Sequence, residues 1–479
     1  MLSARAAASR RWFSAVAQAK PRVLVIGSGW GGNKVARAVD KDKFDVRLIS
    51  PANHFLFTPL LPSTAVGTLE FRCVQEPVRT IEGLAEYYQA KARAIDLEDR
   101  HVECEDIFTG AFFKVPYDFV VISAGCKTNT FNTPGVEESD DIFFLKHLYH
   151  ARRIRNRVLE CFERASSPML SEAEKKSLVS FVIVGGGATS CEFTTELSDF
   201  VRDDVSRWYP ELAKLAKLTV VEAGPRLMGS FDATVVEYYD KFLKARGVDV
   251  RTNTPVKAVE KSAVEGGSSV ALLGADERLE FGCLVWSAGL APVKFTSNST
   301  NFIKGPGGRI VVDEYLRVVG PGGGVHSRAF ALGDCAIDPA KPLPPTASAA
   351  EQQGSYLAEA FNSSYYAVGT DRATPLPTPP PIFPSAMPIG GLEVMNRLFT
   401  PTSHFRYIER GAMASMGRGR AVADLTKSTI MPQTTLTGFA AYLSWRGAYF
   451  SKQLSWTNML LIPIFWIKTY LFGRDISRF

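Results

Sequence analysis

Two short apolar runs set the plan of the chain, because each stops at a cluster of glycines. Val23-Leu24-Val25-Ile26 runs into Gly27-Ser28-Gly29-Trp30-Gly31-Gly32, and Phe181-Val182-Ile183-Val184 runs into Gly185-Gly186-Gly187. An unbroken apolar run bounded by turn residues reads as a strand buried on both faces. Residues 22–26 are therefore predicted as a strand, Trp30–Val39 as a helix and Phe44–Ser50 as the next strand. The second unit repeats the pattern, with a later strand at Thr219–Glu222. A strand, a glycine turn and a helix place free N–H groups and the positive end of the helix dipole where a pyrophosphate can bind. One such unit is a weak signal; two in one chain predict two bound dinucleotides.

The individual positions carry distinct tasks. Gly27 makes the tight turn, Gly29 lets the backbone approach the phosphates, and Gly32 allows close helix–strand packing. In the second loop Gly185 and Gly187 take the first two tasks, and Ser190 stands at the third position. An acid that holds the ribose normally ends the second strand. At the first site that place holds Ser50, which weakens NAD more than FAD as its ligand. At the second it is Glu222, displaced well beyond the usual spacing of about 20 residues by the long helical stretch Asp199–Lys217. Glu222 would repel a 2′-phosphate and favours NADH over NADPH, with Arg226 keeping the phosphate alternative open. Three more buried strands end in small residues where a cofactor can approach. Asp118–Ala124 leads to Gly125, residues 284–287 to Ala288-Gly289, and 329–332 to Gly333-Asp334. Arg152–Arg164 reads as a linker helix between the units.

The pattern changes at the end of the chain. Leu436, Phe439, Leu443, Gly447, Phe450 and Leu454 recur at helical spacing, flanked by Tyr442, Trp445 and Tyr449. Met459–Ile467 is apolar throughout, but far shorter than the about 20 residues a spanning helix requires. Amphipathic helices bordered by Trp, Tyr, Lys and Arg lie in the membrane interface. A helix pair packed on the protein's own core, or a dimer contact, is the alternative. Before this tail, Pro375–Pro384 reads as an exposed connector, and Ala412–Met416 and Arg420–Asp424 as strands.

Composition bounds these readings. A chain of 479 residues, 46% hydrophobic and 22% charged, suits two or three globular domains. The net charge of +6 belongs to the two ends and leaves the middle slightly acidic, a poor polyanion binder. Residues 1–20 hold Arg5, Arg10, Arg11 and Lys20 with no acid, the composition of a mitochondrial presequence. A disordered basic tail is the alternative. The seven cysteines make no C-x-x-C pair, and the six histidines are dispersed, so no metal site is signalled. The fold class expected is α/β: two Rossmann-like dinucleotide-binding domains plus C-terminal amphipathic membrane-anchoring helices. One domain is assigned to 21–165 with 300–365, the second to 178–299. Residues 378–479 form a C-terminal domain, with the anchor from about 436.

The stretch Asn53–Thr68, which includes Thr58, resembles the first-domain signature of the type II NADH dehydrogenases, also called alternative NADH:quinone oxidoreductases. Pro344-Pro345-Thr346-Ala347 through Gln352-Gln353, Trp445-Arg446 and Phe472-Gly473-Arg474-Asp475 are similar to that family's flavin–quinone segment and membrane tail. The likeness is greatest to mitochondrial members. It implies non-covalent FAD at the first loop, where the family accepts serine at Ser50, and NADH as substrate at the second. It further implies ubiquinone as electron acceptor. Without iron–sulfur cysteine spacing or a spanning segment no proton pumping is expected, and a homodimer is expected. The lack of a stop-transfer stretch after residues 1–20 points to a matrix-facing place on the mitochondrial inner membrane. Asp334 would bind the flavin's ribityl or pyrophosphate region. Glu192 matches a family glutamate near nicotinamide and quinone, there to tune the flavin or relay a proton; alternatively it caps its helix. Ser348 stands where the family often has glutamine, leaving Gln352 and Gln353 as polar quinone contacts. A sulfide:quinone oxidoreductase would need a facing cysteine pair, for which Cys161 and Cys335 are conceivable. A soluble NADH diaphorase would use the tail only to dimerise. A disulfide reductase lacks its cysteine pair in the first domain, and a DNA-binding relative of apoptosis-inducing factor would need a basic body.

Overall fold

The computed structural model describes residues 19–364 and 404–478, apart from 138, 262–268, 275–276 and 431–432. The proposed presequence and the proline-rich connector lie outside the described residues.

The first apolar run forms the strand Arg22–Ile26, the centre of a six-stranded sheet. It pairs in parallel with Asp45–Ile49 on one side and Phe119–Ile122 on the other, and Val325–Ala331 joins Phe119–Ile122, also in parallel. Register puts Ile26 beside Ile49 and Ile122, and Ile122 beside Ala331. The four strands therefore end in one row, and Gly27, Ser50, Ser123–Gly125 and Gly333-Asp334 follow from that row. Helix α1, Trp30–Ala38, starts from the glycine turn. It packs so tightly on a later helix that a Cβ on Gly354 would lie 2.7 Å from the Gly31 carbonyl oxygen.

The second run forms Ser180–Val184 in a five-stranded, all-parallel sheet. Val184 aligns with Val221 and Trp286, so Gly185, Glu222 and Ser287–Gly289 share the second carboxyl edge. Helix α2, Ala188–Phe200, follows its glycine turn and continues through a π turn, Val201–Val205. The strand Ile142–Phe144 belongs to this second sheet and the helix Leu148–Ala165 packs into its core, whereas the sequence groups both with the first domain. The two edges are joined by an antiparallel ribbon, Cys126–Thr128 against Leu290–Pro292.

The chain then returns to the first domain as helix α3, Ala347–Ser364. It ends in a three-stranded antiparallel sheet, Ala412–Ser415, Ala421–Asp424 and Thr435–Thr437, and in helices α4, Gly438–Phe450, and α5, Trp456–Phe472. Ala441 and Trp445 of α4 and Ile462 and Trp466 of α5 enter the same core as Phe193 and Leu197 of α2. Most of the face picked out by helical spacing points the other way, but Leu436 lies in the strand Thr435–Thr437 and packs on the core, and Leu454 falls between the two helices. Phe439, Leu443, Phe450 and Leu454 are exposed, continuous along the chain with Trp456 at 83% and Leu460 at 67% exposure. One side of the tail thus packs on the protein's own core, and the other is apolar and uncovered. Among the described residues no helix is long and apolar enough to cross a membrane.

A Cβ on Gly32 would lie 1.9 Å from the Gly27 carbonyl oxygen, backbone that cannot swing aside. Gly32→Ala is expected to destabilise the protein by about 1–3 kcal/mol, read as a lower denaturation midpoint. An unchanged midpoint would contradict the close contact.

Candidate active site

At the first carboxyl edge Gly27 has φ +106° and faces the end of the neighbouring strand; a Cβ there would sit 2.2 Å from the Ser123 carbonyl oxygen. Only glycine meets both demands. Gly29 is the N-cap of α1, no side chain caps the helix, and a Cβ on it would meet nothing within 4 Å. The N–H groups of the first turn are left without helical partners and face open space, which fits the pyrophosphate of a dinucleotide. The Ser50 hydroxyl is 2.9 Å from that of Ser28 and accepts from the Ala52 N–H (3.2 Å), so it braces the loop. Thr58 Oγ1 accepts from the Trp30 indole N–H (3.0 Å). Gly333-Asp334 opens a 3₁₀ turn whose Gly333 N–H donates to Gln353 Oε1 (2.8 Å).

Asp334 has two neighbours that no sequence pattern indicated. The Cys126 thiol donates to Asp334 Oδ2 (2.9 Å), and Lys146 Nζ approaches the same sulfur at 3.0 Å. Burial pushes the Cys126 thiol up to about 12, the Asp334 charge adding to the effect, so it stays protonated as a donor. Cys126 directly follows the predicted Ala124-Gly125, but Lys146 comes from the bend after Ile142–Phe144, a strand of the second sheet, and only the fold brings it here.

The second edge repeats the construction. A Cβ on Gly185 would lie 3.0 Å from the Ala288 backbone nitrogen, beside Gly289. Gly187 caps α2 with open space above it and no side-chain cap. The Ser190 and Ser287 hydroxyls meet at 2.6 Å, tying the helix to the strand end. The Glu222 carboxylate accepts from the N–H groups of Gly186 and Gly224, the latter at 2.5 Å, so it is fixed at the mouth of the glycine loop.

Glu192 lies in the second turn of α2 and does not cap it. Its side chain is buried, 7% exposed, and Oε1 accepts from the Ser415 N–H (2.9 Å) of the C-terminal sheet. Burial pushes its carboxyl up to about 8, against the Ser415 hydrogen bond that pulls it down. The Trp445 indole approaches it in a geometry looser than a hydrogen bond, which leaves its Nε1 without a partner. From there aromatic rings run in file back to the first loop. Trp445 packs on Tyr449 (centroids 4.9 Å), Tyr449 on Phe57 (5.9 Å) and Phe57 on Trp30 (5.2 Å).

The two glutamines part company. Gln353 is spent on Gly333, whereas Gln352 clamps the C-terminal domain. Its Nε2 donates to the Ile408 carbonyl (3.1 Å) and Ser348 Oγ (3.1 Å), and its Oε1 accepts from the Ile408 N–H (2.9 Å). The Gln352 amide is thus occupied at both ends by the protein itself, and Gln353 is engaged through its oxygen. All seven cysteines are free and buried, and Cys161 and Cys335 belong to separate cores, so they do not face one another across a site.

Two glycine cradles, each at the carboxyl edge of its own sheet, define the two-dinucleotide α/β fold. The family model described as pyridine nucleotide-disulphide oxidoreductase matches residues 21–354, and that of the NDH2 C-terminal domain matches 410–475. A probable NADH dehydrogenase of Dictyostelium discoideum is 38% identical, over 96% of this chain and 91% of that protein. The mitochondrial internal alternative NAD(P)H-ubiquinone oxidoreductase A1 of Arabidopsis thaliana is 36% identical, over 96% and 86%. Among solved structures, NDH2 of Plasmodium falciparum in complex with NADH superposes with a TM-score of 0.79 at 26% identity, covering 96% of this chain and all of that one. The chain belongs to the pyridine nucleotide-disulphide oxidoreductase family, in its type II NADH dehydrogenase branch.

Proposed function

We propose that the chain is a non-proton-pumping NADH:quinone oxidoreductase, with FAD in the first cradle, NADH in the second and ubiquinone reaching the site along the tail. The observation that carries this reading is the aromatic file from Trp30 to Trp445, which connects the first glycine loop to helices whose outer face is apolar. FAD, when bound, supplies hydride acceptance from NADH and two-electron delivery to a quinone. The chain's own residues bind, orient and hold protons. Gly27, Gly29 and Gly32 shape the pyrophosphate site, with Ala124 and Gly125 beside it. Asp334, held by Gly333, Gln353 and Cys126, is placed to hydrogen-bond the FAD chain. Glu222 is assigned the NADH ribose, and a 2′-phosphate there would meet like charge.

Glu192 is assigned proton transfer. It keeps its proton at neutral pH, between the second glycine loop and the aromatic file, and quinone reduction consumes protons. Gln352 and Gln353 are assigned a supporting role, fixing Ile408 and Gly333 at the edges of the site instead of touching the quinone. The names of the relatives support a mitochondrial enzyme, and the basic N-terminal segment supports import. We infer attachment to the matrix face of the inner membrane. The relatives are named both internal and external, so protease protection in intact mitochondria decides the face.

The purified protein is expected to be yellow and to oxidise NADH with a short-chain ubiquinone; a colourless protein without this activity would sink the reading. Glu222→Ala is expected to raise the KM for NADH roughly tenfold or more, the loss of hydrogen bonds to a charged group, with flavin content unchanged. As pH rises through about 8 Glu192 loses its proton, so turnover is expected to fall there. Glu192→Gln removes that limb and lowers turnover by roughly 10²-fold. Leu460→Glu with Ile464→Glu, on the exposed face of α5, is expected to release the protein from liposomes; unchanged co-sedimentation would refute the anchor. These substitutions spare the core, which deletion of 438–479 would open.

A further inference from the structure

Helix α2 carries a second buried acid one turn beyond Glu192. Glu196 accepts from Ser63 Oγ (2.9 Å), in the short helix Leu61–Thr64, and from Thr68 Oγ1 (2.6 Å), just after it. The segment after α5 closes on this acid. Gly473 ends the helix with φ +81° and lies so close that a Cβ would sit 2.6 Å from Asp204 Oδ1. The Arg474 backbone N–H and Nη1 each donate to Asp204 at 2.9 Å, Nε donates to Thr68 Oγ1 at 2.8 Å, and Nη2 reaches Glu196 Oε2 at 3.3 Å. Its side chain is 7% exposed. Asp475 meets Arg155 next door, through its carbonyl at 3.0 Å and its carboxylate at 3.5 Å. The last turn of the chain is thus a plug of charge set into the helix that bears the site carboxyl.

We propose that Arg474 is a positioning residue for Glu192: by pairing with Glu196 it governs how strongly the site carboxyl holds its proton, and so links the membrane-binding tail to the site. The proposal rests on Glu192 being the proton-transfer group. The Glu196 charge one turn away opposes ionisation of Glu192, and Arg474 counters that charge. The other groups around this pair are accounted for. On α4, Tyr449 faces Glu192, while Arg446 lies toward Glu196 with its guanidinium over the rings of Tyr442 (4.3 Å) and Trp466 (4.0 Å). Tyr239 approaches Glu192 from the helix Ala233–Ala245 with its hydroxyl bonded to the Cys191 carbonyl (2.8 Å), and Ser415 offers its backbone N–H. Asp199 is engaged by Arg246, Arg202 and the Arg418 N–H.

The test is the pH profile of NADH:ubiquinone turnover by the full-length, flavin-loaded protein on liposomes. Glu196→Gln removes the repelling charge while keeping acceptors for Ser63 and Thr68. The fall assigned to Glu192 is expected to move up-field in acidity, to lower pH, by about one unit. Arg474→Gln leaves Glu196 uncompensated, and the fall is expected to move to higher pH by a similar amount. Opposite shifts separate this role from a structural one, which would move both variants alike or neither. Unmoved profiles, or shifts in the same direction, overturn the proposal; if Arg474→Gln does not fold, Glu196→Gln decides alone. Glu192→Gln measured alongside keeps the two readings apart. A fall that persists in it sinks the assignment of Glu192 itself, whereas a fall that vanishes in it but is unmoved in the other two sinks only the role of Arg474.

Discussion

At the carboxyl end of the first sheet the Gly27 backbone rests against the Ser123 carbonyl, and Gly32 rests in turn against Gly27. These contacts bring α1 onto the strand ends with its uncapped N-terminus facing outward. The second sheet does the same with Gly185 and Ala288. Because parallel strands end in register, each cradle gathers residues far apart in sequence, Gly27 with Asp334 and Gly185 with Gly289. The ribbon Cys126–Thr128 with Leu290–Pro292 then ties the strand end that follows one cradle to the strand end that follows the other.

This part of the fold was legible in the sequence because local physics writes it locally. An apolar run, a glycine turn and a helix are consecutive residues, and the strands Arg22–Ile26 and Ser180–Val184 lie where periodicity puts them. Glu222 was readable for the same reason, as the residue that ends a strand. The strand Ile142–Phe144 was not, because three residues carry too little pattern to say which sheet they join. Nor was the commitment of Gln352 to Ile408, since that contact crosses chain that no periodicity connects. Lys146, Cys126 and Arg474 share this limit: their roles come from neighbours distant in sequence.

The tail presents apolar side chains in two opposite directions. Trp445 and Trp466 fill the same core as α2, while Phe439, Leu443, Trp456 and Leu460 face outward. A helix apolar on every side would be expected only deep inside a protein or a bilayer. Here α5 is held on the protein by polar pins at both ends. Asn458 donates to Glu76 (2.7 Å) near its start, and Thr469 donates to the Thr68 carbonyl (3.0 Å) near its finish. The outer face is therefore a rigid surface, not a loose appendage, and its pose relative to the aromatic file is fixed.

The clasp formed by Gly473, Arg474 and Asp475 has a consequence for how the protein folds. One guanidinium, 7% exposed, is shared between Glu196 and Asp204. An acid left in a core without its partner is costly. Docking of the segment after α5 and settling of α2 are therefore coupled steps, each stable only once the other is in place. Loss of Gly473–Asp475 would strand two acids on the helix that bears the site carboxyl.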